Sequence, residues 1–235
     1  MFKVTREVNT VVLKKNVDGA DAADIIDQKK TVPFKSLLSR PKKEDVHVHS
    51  LKLYYECILV VSGTYTADYF RKATHSISVD SNVSEISFGD GLFPVRSKSG
   101  IKKAFVGKRG KNKIDLKLEE HVFVEEDEEL TFDHHGRNMK LPFKIDSKNV
   151  ESYPKRVLKE NNLNVKKLEI THDTAISKLE SHLKKPLDSD VRELNDEFVL
   201  QDVVEVYMPV FEARLVGPKK KVAIIRIDAV RKKIL

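Results

Sequence analysis

One stretch of 25 residues restricts the fold more than any other part of the sequence. It spans residues 46–70 and reads VHVHSLKLYYECILVVSGTYTADYF, alternating apolar and polar residues before it becomes continuously apolar. A period of two places successive side chains on opposite faces of a strand, and a continuously apolar run is typical of a strand that is buried on both faces. The stretch therefore predicts a long β-strand that passes from the rim of a sheet into its core.

Shorter strand patterns lie on both sides of this stretch. Residues 4–17 (VTREVNTVVLKKNV) and 73–95 (ATHSISVDSNVSEISFGDGLFPV) alternate β-branched residues with polar ones, and the second contains turn residues at 80–84 and 89–91. This pattern predicts a meander of antiparallel strands. Helices are predicted where a capping residue precedes helical spacing, in DGADAADIIDQKK, SYPKRVLKENN and ITHDTAISKLESHLKKP.

These elements predict an α+β protein that is rich in antiparallel strands and divided into two lobes, each with a short helix packed on a sheet. A chain of 235 residues is long enough for one large domain or two of ordinary size. We expect an N-terminal β-rich lobe over residues 1–150, which includes a basic loop at 98–113. A C-terminal lobe of helix, strand, turn and strand follows over residues 151–235.

The two lobes share a short sequence pattern. ISVDSNVSEI at residues 77–86 matches IRIDAVRKKI at residues 225–234, at an offset of 225 − 77 = 148, which predicts an internal repeat. In both copies an Asp is followed by residues that favour a tight turn, because its carboxylate accepts hydrogen bonds from the backbone just after it.

The C-terminal pattern combines the capped helix ITHDTAISKLESHL, a strand containing Tyr207-x-Pro209 and a last strand that ends in Ile-Asp-Ala-Val at residues 227–230. Over residues 171–235 it resembles PepSY-like and cystatin-like α+β modules, and residues 51–86 resemble a degenerate copy. Such modules bind or inhibit other proteins and are not enzymes. The resemblance therefore implies a protein partner, and it assigns no catalytic residue to this chain.

The basic loop is the sharpest functional feature of the sequence. The chain carries a formal net charge of +7, which permits an acidic partner without requiring one. Glycines separate the cations of the loop. If the loop binds nucleic acid, the cations would follow a phosphate backbone while the ring of Phe105 stacks on a base. The nucleic-acid-binding residues in this alternative are Lys102, Lys103, Phe105, Lys108, Arg109, Lys111 and Lys113. The other interpretation is a solvated loop, balanced by the acids of LEEHVFVEEDEEL at residues 118–130.

Histidines supply a third hypothesis. His47 and His49 are two residues apart, so a strand projects both from one face. Together with His121, His134 or His135 they would form a metal site with three protein ligands, as catalytic zinc sites have. The alternative is a polar strand rim and a polar turn. His172 and Asp173 form an adjacent His-Asp pair, as some metal phosphohydrolases have. The alternative is a helix start, where an acidic residue is expected for capping.

No familiar reaction signature occurs. The chain contains no GxxxxGK[ST], GxGxxG, GxSxG or HExxH motif, and the single cysteine, Cys57, lies in an apolar strand where we expect a buried, inert thiol. No apolar run is long enough to span a membrane, and the first 15 residues lack the apolar core of a secretion signal, so a cytoplasmic protein is expected. We predict a non-enzymatic protein-interaction module without a cofactor, which binds through a sheet surface or edge and allows a homo-oligomer.

Overall fold

A computed structural model describes residues 8–36, 40–80, 82–95, 112–141, 143–185 and 190–235. The described helices are α1 (Gly19–Lys29), α2 (Pro154–Glu160) and α3 (His172–Leu183). The described strands are β1 (Asn9–Val12), β2 (His47–Val79), β3 (Glu85–Phe88), β4 (Gly91–Pro94), β5 (Asn112–Phe132), β6 (Val165–Lys166), β7 (Val191–Val216), β8 (Val222–Asp228) and β9 (Lys233–Ile234). Short 3₁₀ turns occupy Val32–Phe34, Lys43–Asp45, Asn162–Asn164 and Pro218–Lys220.

The main sheet follows the order β5-β2-β7-β8-β9, with β1 beside β7 and β6 beside β2. Strands account for 53% of the described residues and helices, together with the 3₁₀ turns, for 21%, and most of the pairing is antiparallel, which confirms the α+β class. Two short parallel ladders, β1 with β7 and β2 with β6, are the exceptions that the structure describes. Residues 47–70 of the predicted long strand lie within a single strand of 33 residues, β2, which continues through the segment predicted to start the meander.

The chain divides into two compact units. The first unit comprises Met1–Thr64, Asp127–Lys184 and Val199–Leu235, and the second comprises Tyr65–Glu126 and Lys185–Phe198. All three described helices belong to the first unit. The two lobes predicted over residues 1–150 and 151–235 stay a prediction.

The core of the first unit lies between helix α1 and one face of the sheet. Ala22 and Ile26 on α1 are fully buried, and they lie in one apolar cluster with residues of β7 and β8 that share a face: Phe211, Ala213, Leu215, Ile225 and Ile227. Asp18 caps the helix, because its carboxylate accepts a hydrogen bond of 2.8 Å from the backbone N–H of Asp21. A second apolar cluster joins Leu13, Ile58, Val60, Val206, Met208, Val210 and Val230.

The C-terminal segment adopts the predicted strand, turn and strand. Strands β7 and β8 are antiparallel from Val210 opposite Asp228 to Val216 opposite Val222, and the chain turns between them at Pro218–Lys220. The buried Asp228 then holds the next turn, because one oxygen of its carboxylate accepts from the backbone N–H groups of Val230 and Arg231 at 2.8 and 3.0 Å. Asp80 likewise accepts from the N–H of Asn82 at 2.9 Å. The turn chemistry is therefore confirmed at both positions, whereas the internal repeat stays a prediction.

Pro209 shows how a proline fits inside a strand of a sheet. It lacks the backbone N–H that a continuous ladder needs, so an edge or a bulge is expected at such a residue. In β7 it lies between the residues that pair with β1, which end at Tyr207, and those that pair with β8, which begin at Val210. The proline thus lies between the end of the pairing with β1 and the start of the pairing with β8.

A cluster of charges lies within the sheet of the first unit. Glu56 on β2 is buried, and its carboxylate bonds the Lys166 ammonium at 2.8 Å and the Arg226 guanidinium of β8. Lys166 also lies 3.4 Å from a carboxylate oxygen of Glu212, which pairs directly with Arg226 across β7 and β8. These four side chains neutralise one another, which is what allows charge to be buried in a sheet.

The second unit is built on β2 and β5. The Phe70 and His121 rings stack with centroids 4.4 Å apart, Arg71 bonds Glu120 at 2.8 Å, and Ser76 bonds Asp115 at 2.6 Å. From one of these contacts to the next, the residue numbers rise along β2 and fall along β5, so the two strands run antiparallel. Strands β3 and β4 form a separate hairpin, with Phe88 opposite Gly91.

None of the helices in the described part of the chain has the length and apolarity needed to cross a bilayer.

Candidate ligand pocket beside helix α3

A pocket of about 580 Å³ lies in the first unit, between helix α2, the N-terminal end of helix α3 and strand β7. Its lining residues are Leu158, Lys159, Asn162, Val165, Lys167, Leu168, Ile170, Thr171, His172, Glu205 and Tyr207. A volume of this size lies within the range that small-molecule ligands occupy, about 300–1,000 Å³. Its volume therefore makes this pocket a candidate binding site for a small molecule.

A chain of hydrogen bonds crosses the polar side of the pocket. Glu205 and Tyr207 are two residues apart on β7, so both side chains project from the same face. One carboxylate oxygen of Glu205 lies 2.9 Å from Nε2 of His172, and the other accepts a hydrogen bond of 2.8 Å from the Tyr207 hydroxyl. The two oxygens of Glu205 are thus each held by a different side chain, which fixes the carboxylate in place.

His172 is positioned by the start of helix α3. Thr171 is the N-cap residue, and its hydroxyl oxygen accepts a hydrogen bond of 3.2 Å from the backbone N–H of Thr174. The helix is anchored by Ala175, Leu179 and Leu183, which are buried at helical spacing. His172 is the first helical residue, and the helix therefore holds its ring at the pocket.

Cys57 lies beside Tyr207 in this chain of hydrogen bonds, and its surroundings suppress the ionisation of its thiol. Burial, with the charge of Glu205 as a smaller cause, raises the pKa of its thiol to about 12. Burial also raises the pKa of the Tyr207 hydroxyl, which keeps it in the neutral, donating form. The sulfur is fully buried, so the inert thiol expected from the sequence agrees with its surroundings.

The remaining walls combine apolar surface with two lysines. Leu158, Val165, Leu168 and Ile170 are partly buried and supply the apolar contacts. Lys159 and Lys167 are exposed at the pocket, and neither ammonium contacts an acidic side chain of the described residues. The positive end of the α3 dipole points toward the same space, because Thr171 and His172 line it. The arrangement offers an apolar wall beside a positively charged margin.

This geometry is equipped to bind and orient a ligand. Both partners of the His172–Glu205 pair are held, so the ring is a fixed hydrogen-bonding group. The described lining contains no cysteine or serine, and the Thr171 hydroxyl is occupied by its contacts with Thr174 at 2.8 and 3.2 Å.

The predicted metal ligands lie in different surroundings. His47 and His49 are exposed at the start of β2, in the first unit. His121 belongs to the second unit, where its Nε2 lies 2.5 Å from Asp68. His134 and His135 form part of a turn, with ring centroids 3.9 Å apart and His135 Nδ1 at 3.0 Å from Glu169. Among the described residues, no three His, Cys, Asp or Glu side chains are grouped as a metal would need.

Most of the predicted basic loop lies outside the described residues, namely Lys102, Lys103, Phe105, Lys108, Arg109 and Lys111. Lys113 is described, and it is an exposed residue of strand β5, not of a loop. The neighbouring acids lie in the same strand, where several have partners within the described fold. Glu119 bonds Arg192, Glu126 bonds Lys185 at 2.6 Å, and Glu128 lies 3.3 Å from His182.

The sequence patterns did not predict this pocket as a site, although His172 and Tyr207 lie in predicted elements. His172 was interpreted as part of a helix start, and Tyr207 entered only through a strand pattern. The available signal was the pair Glu205 and Tyr207, two polar side chains on one face of the mostly apolar run at residues 203–211. The sequence could not show that this face meets helix α3, because His172 and Glu205 are 33 positions apart in the chain.

Comparison with known proteins gives this chain no relatives: no protein family, no curated protein and no solved structure matches it.

Proposed function

We propose that this protein is a non-catalytic binding module whose pocket beside α3 receives a small molecule with an apolar body and one anionic group. The observation that carries the proposal is the combination of an apolar wall with two lysines that have no acidic partner among the described residues. Ligand sites are typically apolar concavities with a few polar groups that set the orientation of the ligand.

The apolar body of such a ligand would contact Leu158, Val165, Leu168 and Ile170. Removing apolar area from water is worth about 25 cal/mol per Å², so a chain of eight to ten carbons gains several kcal/mol before the cost of ordering it. The anionic group would lie near Lys159 and Lys167, at the end of α3 where backbone N–H groups and the helix dipole favour negative charge.

The test uses a pair of probes that differ only in the charged group. Decanoate and decanol share an apolar chain, and isothermal titration calorimetry measures the binding of each to the wild-type protein. We expect decanoate to bind more tightly than decanol, because an exposed lysine contact contributes about 0.2–1 kcal/mol and two lysines are present. This corresponds to a preference of roughly 2-fold to 30-fold.

Two variants connect the binding to the pocket. Lys159→Gln with Lys167→Gln should weaken decanoate binding and leave decanol binding unchanged, and Leu168→Asn should weaken both. The matched control is Lys35→Gln with Lys52→Gln, two exposed lysines that do not line the pocket. If neither probe binds saturably, or if the control variant loses as much affinity as the pocket variant, the proposed function is wrong.

A second candidate is the protein-interaction module predicted from the sequence. The observation in its favour is the β3–β4 hairpin of the second unit, where Phe88 is 60% exposed and Leu92 is 71% exposed. Leu92 pairs with Ser87, so Leu92 and Phe88 project from opposite faces of the hairpin, and each face exposes one large apolar side chain that a protein partner could cover. A photo-crosslinking residue at position 92, compared with one at position 52, would test it. A defined protein captured from position 92 and not from position 52 supports the docking role, and equal capture from both positions argues against it.

A further inference from the structure

A second pocket, of about 510 Å³, lies entirely within the second unit. Residues of β2, β5 and the start of β7 line it: Lys72, Ala73, Thr74, Lys117, Leu118, Glu119, Asp190 and Arg192. Three of these side chains are cationic and two are anionic, so the lining has a net charge of 3 − 2 = +1. The arrangement of these charges matters more than their sum.

The antiparallel pairing of β2 with β5 fixes which side chains are neighbours. The contacts of Arg71 with Glu120 and of Ser76 with Asp115 lie on either side of the pocket. Both strands advance by five residues between these contacts, so the register holds without a bulge. Lys72 is therefore opposite Glu119, and Thr74 is opposite Lys117.

Glu119 would be the cross-strand partner of Lys72, because opposite charges that face each other stabilise a strand pair. Its carboxylate is instead bonded to the guanidinium of Arg192. Arg192 forms the stronger contact, since its planar group matches a carboxylate better than an ammonium does. As a result the ammonium groups of Lys72 and Lys117 contact no acidic side chain of the described residues, although both lie in one pocket.

We propose that this pocket binds a phosphate group, held by the ammonium groups of Lys72 and Lys117 and by the Thr74 hydroxyl. Two like charges without a partner repel each other, and an oxyanion between them removes that repulsion while it accepts a hydrogen bond from the hydroxyl. The site is distinct from the pocket beside α3 and does not depend on the function proposed for it.

Phosphate groups come from two sources, a nucleic-acid strand or a small phosphorylated compound. The sequence favours neither at the pocket itself, although β5 follows directly on the basic residues at 98–111. The experiment therefore has two arms. Fluorescence anisotropy measures the binding of a labelled single-stranded 20-nucleotide DNA at several salt concentrations, and calorimetry measures the binding of inorganic tripolyphosphate.

The variant is Lys72→Gln with Lys117→Gln, and the matched control is Lys52→Gln with Lys155→Gln, two exposed lysines outside the pocket. All four substitutions are at exposed positions, and circular dichroism checks that each variant stays folded. In the DNA arm we expect at least a 3-fold loss of affinity. The slope of log K against log salt should also become shallower by about 1.4, because two phosphate contacts are lost at about 0.7 each for a single strand.

Asp190 gives a test with the opposite sign. Its carboxylate lines the same pocket and repels an anion, so Asp190→Asn should raise phosphate affinity about 2-fold or more. The proposal is supported if Asp190→Asn raises the affinity and the lysine variant lowers it. Whether these changes occur with DNA or with tripolyphosphate identifies the source of the phosphate. If neither arm distinguishes the lysine variant from its control, the phosphate site is refuted, whatever decanoate does in the other pocket.

Discussion

The charge cluster of the first unit gives the most direct test of what holds the sheet together. Glu56 is 5% exposed, and it is the acid that both Lys166 and Arg226 contact. We consider the substitution Glu56→Gln, which keeps the shape of the side chain and removes its charge. The two cations then lose their shared anion, and Lys166 retains only Glu212 at 3.4 Å.

The expected cost follows from the exposure of the partners. Removing one member of a fully buried ion pair costs about 3–5 kcal/mol, because the other charge is left without compensation. Here the side chains of Lys166 and Arg226 are 30% and 32% exposed, so water solvates part of the charge that Glu56 leaves behind. We therefore expect a loss of about 2 kcal/mol in the free energy of unfolding, equivalent to a fall of roughly 4–8 °C in Tm for a chain of this size.

Urea denaturation measures the change, and Glu129→Gln provides the control. Glu129 is an exposed acid of β5 in the same unit, and no cation of the described residues contacts it, so its substitution should change stability by less than about 0.5 kcal/mol. A double-mutant cycle with Arg226→Gln should return a coupling energy of about 1 kcal/mol. If Glu56→Gln destabilises the protein no more than Glu129→Gln does, the cluster does not stabilise the sheet and the reasoning from burial is refuted.

Three further predictions concern single residues. Gly217→Ala should cost about 1–3 kcal/mol, because the added Cβ would lie 2.6 Å from the Phe34 ring; a thermal scan measures this, and Tm unchanged within 1 °C would contradict it. Cys57 should not react with a disulfide reagent at pH 8 in the folded protein and should react once in urea, since burial raises the pKa of its thiol to about 12; rapid native labelling would show the site to be open. Burial lowers the pKa of His134, so the unfolded state binds more protons and stability should fall as the pH drops through about 6.5 toward the lower folded pKa. His134→Asn should flatten that part of the stability profile, and an unchanged slope between pH 7.5 and 5.5 would contradict the assignment.

The strands and turns could be predicted because local chemistry decides them. Alternation of Val46 and Val48, and then of Leu51 and Leu53, with polar residues predicted an extended segment. An Asp at 80 or 228 can hold a turn with its own carboxylate. The length of β2 could not be predicted, because Ser62 and Gly63 lie near its middle. A glycine inside a strand ordinarily weakens it, so the sequence suggests an interruption at this point. Only the pairing with β5 and β7 shows that the strand continues.

The candidate sites could not be predicted because they depend on which strands meet. Lys72 and Glu119 would form an ordinary cross-strand ion pair if these two strands were alone. The lysine loses that partner only because Arg192 of a third strand reaches the same carboxylate. A sequence shows how many charges of each sign are present, but it does not show which acid two cations compete for.

The two sheet clusters, taken together, indicate what distinguishes structural from functional charge in this fold. Around Glu56 the basic residues converge on shared acids, so each charge is compensated within the described fold, and the cluster is half-buried. At Lys72 and Lys117 the same sheet leaves two exposed ammonium groups without such an acid, in a concavity large enough for a ligand. A protein gains no stability from unpaired like charges on neighbouring strands, since they repel each other. A bound anion would compensate the charges of Lys72 and Lys117, whereas the charges around Glu56 are already compensated, so the proposed anion site lies at the second pocket and not at Glu56.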